Sequence, residues 1–257
     1  IVIGFGKMNK IGIDITKYQN MINKAMDYLD QEAKKDFEQY KMNPTESFLP
    51  SNLQYLYCKS YFPQIGFNNQ SEVVNYYINN AEKTWQKSGL MNQAQLLVAL
   101  KVLKPSSIVP KLIYTAFEQN AKNNPEMGMY WSSNVRAWYW HEAPIETHAA
   151  IMEAYKTMDN KMAIKELQIW LLRQKQTQSW STTRSTADAC YALLSNNTFI
   201  NNQQSVVVSI DNKDIKPPQK QAGTGYYREN IEKNDIQNNS GNIKVTAKTD
   251  DFAYGAV

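Results

Sequence analysis

Residues 180–194 read Trp180-Ser-Thr-Thr-Arg-Ser-Thr-Ala-Asp-Ala-Cys-Tyr-Ala-Leu-Leu194. Ser181, Thr182 and Thr183 have side-chain oxygens that satisfy the free N–H groups of a helix start. Thr183–Leu194 then reads as an Ala-rich apolar helix, with Arg184 and Asp188 one turn apart. The same pairing of an aromatic-bearing turn with a small-residue helix occurs twice upstream. Trp85 precedes Ala94-Gln-Leu-Leu-Val-Ala-Leu100, and Trp131 precedes Ile145-Glu-Thr-His-Ala-Ala-Ile-Met-Glu-Ala154. The copies lie roughly 40–50 residues apart, the length of one helix pair in repeat architectures. Small residues let neighbouring helices approach closely at the centre of a ring or stack. The expected architecture is mainly α, with helical hairpins packed into a solenoid or a closed α/α toroid.

Outward from these copies, the apolar spacing predicts further helices. Residues 11–42 place Ile11, Ile15, Tyr18, Ile22, Ala25, Met26 and Leu29 at intervals of three and four. Helices are also expected over 51–61, 71–85, 88–103, 109–121, 145–158 and 163–173. Asn123-Asn124-Pro125 reads as a break. Near Asn196 the pattern changes to short β-branched runs. Ser205–Ile210 suits a strand, Asp211-Asn212-Lys213 a turn, and Ile243–Lys248 alternates apolar with polar residues. Residues 252–257 are a further strand candidate. The expected division is a helical toroid over 1–200, lacking its first helices, and a partial β-sandwich segment over 205–257.

Composition narrows the class. The 257 residues include 16 Tyr, 8 Phe and 6 Trp, too many aromatics for a disordered chain. The longest apolar run, Ile1–Phe5, is far short of the roughly 18 residues a bilayer span needs. No membrane contact is expected of this chain. The net charge of +4 is spread along the sequence, so no nucleic-acid footprint is expected. Two cysteines, Cys58 and Cys190, cannot build a disulfide framework or a Cys-rich zinc site. The chain starts with Ile rather than Met, as an excised fragment would.

Several stretches invite a catalytic reading. Ile1-Val-Ile-Gly4-Phe-Gly6 has the strand and Gly-x-Gly that open a dinucleotide fold, but Asn9 replaces the third glycine and the rest of the βαβ pattern is missing. Helix-packing glycines fit better. His141-Glu142-Ala-Pro-Ile-Glu146-Thr-His148 holds both histidines, seven apart with Pro144 between them. A zincin needs two imidazoles one helical turn apart. Pro144 fits a helix start instead, with Glu146 in the first turn, where the helix dipole favours an anion. Ser181 has no neighbouring base and no Gly-x-Ser-x-Gly around it. Cys190 reads as a buried, inert thiol. No catalytic residue, cofactor or metal site is expected. The candidate interaction surface comprises Trp131, Arg136, Trp138, Trp140, His141, Glu142, Glu146, His148, Trp180 and Arg184, an aromatic and charged set suited to a docking platform.

Two passages carry a resemblance: Trp131…Ala143-Pro-Ile-Glu-Thr147, and Leu171-Leu-Arg-Gln174…Trp180-Ser-Thr-Thr…Ala187-Asp-Ala-Cys-Tyr-Ala-Leu-Leu194. Over roughly residues 1–200, the chain resembles the thioester-type helical domain of bacterial α2-macroglobulin-like proteins, the Bacteroidetes type in particular. The resemblance implies an α/α toroid followed by part of a β-sandwich. It further implies a non-enzymatic, protease-inhibiting or protease-entrapping protein of the bacterial cell envelope, periplasmic or at the surface. The implied partners are target proteases and other domains of the same large protein. Some relatives form a thioester from a Cys-x-Glu-Gln motif. That motif does not occur here: Lys-Ser-Tyr follows Cys58, and Tyr-Ala-Leu follows Cys190. The spacing Gln174 to Trp180 also resembles the Gln-Trp repeat of terpene cyclases. The alternatives are a protein-interaction scaffold and a terpene-cyclase or prenyltransferase-like toroid enzyme. Asp250-Asp251 is the one acidic pair suited to the latter, and it lies in the β segment.

Overall fold

The computed structural model describes residues 1–42, 50–135, 143–177, 180, 182–195, 206–210, 213–215, 230 and 241–247. The described part is mainly helical. In chain order the helices are α1 (Val2–Lys10), α2 (Gln19–Met42), α3 (Pro50–Tyr61), α4 (Glu72–Thr84), α5 (Leu90–Leu103), α6 (Val109–Asn120), α7 (Pro144–Thr157), α8 (Lys161–Thr177) and α9 (Thr183–Ser195). A small hairpin, β1 (Lys122–Asn124) and β2 (Gly128–Tyr130), separates α6 from α7. After α9 come β3 (Val206–Ile210), β4 (Lys213–Asp214) and β5 (Ile243–Ala247).

The chain divides into two compact units, residues 1–195 and 196–257. In the first, the odd-numbered helices pack on one another in series: α3 on α5, α5 on α7, α7 on α9. The even-numbered helices pack as hairpin partners, α4 on α3, α6 on α5 and α8 on α7. Burial follows this arrangement. Helix α5 is buried on all sides, through Met91, Ala94, Leu96, Leu97, Val98, Ala99 and Leu100, as expected of a helix in the middle of a layer. Helix α4 buries one stripe, Val73, Val74, Tyr77, Ile78 and Ala81, and turns its other face to water. Alanines occupy the fully packed positions of the odd helices: Ala94 and Ala99, Ala149 and Ala154, Ala189 and Ala192. Each leading tryptophan of the repeat precedes one helix of this series, Trp85 before α5, Trp131 before α7 and Trp180 before α9.

Local chemistry sets the ends. The Ser71 side chain accepts the Val74 N–H at the start of α4, and the Thr182 hydroxyl accepts the Ser185 N–H at 2.9 Å at the start of α9. Pro144 occupies the first position of α7, where its missing N–H costs nothing. In the second unit β3 pairs antiparallel with both β4 and β5, in the order β4-β3-β5, with Val208 opposite Val245.

Val2–Lys10 form α1, so the stretch that holds Gly4 and Gly6 is helical, as helix-packing glycines require, and does not open a dinucleotide fold. Other sequence expectations are corrected or extended. Residues 11–42 are not one helix. The backbone turns at Gly12 (φ +86), and the Asp14 carboxylate accepts the Thr16 N–H at 2.9 Å, which leads into a short 3₁₀ turn before α2. Asn123-Asn124-Pro125 breaks the helix as expected, but the chain goes on to pair as β1 and β2. Gly128 (φ +72) allows this hairpin to lie against α8, where a Cβ would stand 2.2 Å from the Glu166 carbonyl oxygen. Finally, Cys190 is exposed on α9 rather than buried. The strand candidate at 252–257 and the Asp250-Asp251 pair lie outside the described residues.

Candidate functional site: carboxylates at the interface of α7 and α9

Glu146 and Glu153 are seven residues apart on α7 and therefore share a face. Both are buried, and both meet α9. Glu146 Oε1 accepts the Ser185 hydroxyl at 2.8 Å, and the Thr182 hydroxyl lies at 3.5 Å. One end of α9 is thus tied to the first turn of α7. Glu146 Oε2 is buried with no hydrogen-bond partner among the described residues.

Glu153 is the hub of a larger cluster. Its carboxylate accepts the hydroxyls of Tyr57, Tyr61 (2.8 Å) and Tyr191 (3.2 Å), and the Lys10 ammonium at 2.9 Å. Four helices, α1, α3, α7 and α9, meet at this one side chain. Lys7, one turn before Lys10 on α1, donates to Asp188 on α9 at 2.5 Å. Burial alone raises a carboxyl pKa, but Lys10, Lys7 and the donated hydroxyls outweigh it and hold Glu153 below its ordinary value. The same burial, together with the Glu153 charge, pushes the hydroxyls of Tyr57, Tyr61 and Tyr191 up. At neutral pH the cluster is therefore one carboxylate served by neutral phenols and ammonium groups. It binds positive charge; it offers no activated nucleophile.

The expected interaction surface is only partly a surface. Trp131 is buried, its indole N–H donating to the Phe117 carbonyl at 3.0 Å. Fully buried His148 stacks on Trp170, with ring centroids 4.1 Å apart, and lies edge-on to Trp131. Its Nε2 is 2.9 Å from the Leu167 carbonyl oxygen. A carbonyl only accepts, so Nε2 carries the proton and Nδ1 is bare. Burial lowers the His148 pKa to about 4, so the ring is neutral. Trp131, Glu146 and His148 are thus packing residues, because α7 is enclosed by α5, α8 and α9 rather than lining an open face. Trp180 is half-buried with Lys175 over its ring, and exposed Arg184 reaches Asp188 with Nε at 3.7 Å. Arg136, Trp138, Trp140, His141 and Glu142 lie outside the described residues.

Glu153, Tyr57, Tyr61, Tyr191, Lys7 and Lys10 were not among the expected site residues. A charged residue inside the apolar run of α7, seven positions after Glu146, is the signal that sequence offered. Its partners come from residues up to 143 positions away, and no local pattern connects them. Burial pushes the Cys58 thiol up to about 11, so it stays protonated at neutral pH. No group of three or more His, Cys, Asp or Glu residues is placed to share a metal ion among the described residues. No helix among them is long and apolar enough to cross a membrane.

Comparison with known proteins finds no matching family model, no matching curated protein and no matching solved structure.

Proposed function

We propose that this chain is a non-catalytic helical domain of a macroglobulin-like cell-envelope protein that inhibits or entraps proteases. The observation behind this reading is the Trp131…Ala143-Pro-Ile-Glu-Thr147 and Trp180-Ser-Thr-Thr passages, each leading into a helix of one series. Hairpins stacked in this way fit the α/α toroid that the resemblance implies, and the second unit fits the edge of its β-sandwich. The Glu153 cluster fits a packing role, since Glu153 and Asp188 are paired with Lys10 and Lys7.

The test is protease capture by the protein that carries this chain. It is mixed with proteases of several specificities, and cleavage of casein is compared with cleavage of a small chromogenic peptide. Entrapment predicts that casein cleavage falls while peptide cleavage persists, with a protease–protein complex on gels. Full casein cleavage with no complex overturns the reading in favour of an interaction scaffold.

A further inference from the structure

We draw no further inference here: the strongest candidate, the buried Oε2 of Glu146 at the start of α7, which has no hydrogen-bond partner among the described residues, belongs to the carboxylate site already described, and nothing in the structure shows what would occupy the space before it.

Discussion

Asp30 and Glu153 are buried carboxylates with several donors each, and His148 is a buried imidazole whose Nε2–H donates to one carbonyl. Asp30 accepts the Tyr55 hydroxyl at 2.7 Å, the Lys59 ammonium at 3.0 Å and the Phe67 N–H. Lys59 is itself fully buried, and burial lowers its pKa even against the Asp30 charge. Such pairs specify geometry more than they stabilise, because desolvation offsets most of the Coulomb attraction. His148 has a simpler consequence. Its folded pKa, about 4, is below the unfolded value near 6.5, so the unfolded chain binds the proton more readily. Stability from this residue is complete above about pH 6.5 and falls as the pH drops towards 4, by about 3 kcal/mol over the window. Urea midpoints at pH 7 and pH 5 check this. The shift between them shrinks in His148→Gln, and an equal shift in that variant would show that other groups cause it.

At the scale of elements, the β1–β2 hairpin depends on one residue. Gly128 has a φ of +72, and a side chain there would press on the backbone of α8 at Glu166 and Trp170. Gly128→Ala therefore incurs both backbone strain and a clash, together about 2 kcal/mol or more. Thermal unfolding measures the loss. The exposed Gly4, with open space where its Cβ would lie, serves as the control: Gly4→Ala leaves stability unchanged or slightly raised, because alanine is the better helix former. The expectation of helix-packing glycines in this stretch thus holds for Gly6, where a Cβ would stand 2.4 Å from the Tyr61 ring, and not for Gly4. Helices α4 to α9 were legible in advance, with ends within a few residues. Their apolar stripes, caps and proline stops are local signals. The hairpin was not legible, because strands of three residues carry no periodicity, and β2 packs on α8, far from it in sequence.

For the molecule as a whole, the series α3–α5–α7–α9 is the feature on which the first unit depends. Its alanines are buried, and Ala154 in α7 is fully so. Ala154→Leu adds three carbon atoms where the interior has no room, and is expected to cost about 1–3 kcal/mol. Measured by calorimetry, the melting temperature falls. No change would mean that α7 packs more loosely than its burial indicates. The candidate site was less legible than the fold. Glu146, His148 and Trp131 were visible as chemistry-bearing residues, yet the enclosure of α7 makes them interior. Lys7, Lys10 and Tyr57 carried no signal of their own.

The amino-acid sequence by itself determined the helical class, most helix limits, the change of character near Asn196 and the repeat of tryptophan-led helices. All are short-range consequences of periodicity, capping and breaker residues. Only the tertiary structure decided which charged residues meet. Glu153 gathers hydroxyls and an ammonium from three other helices, and α1 meets α9 through Lys7 and Asp188. Such contacts depend on how helices stack in space, and side-chain chemistry read along the chain does not contain that distance information.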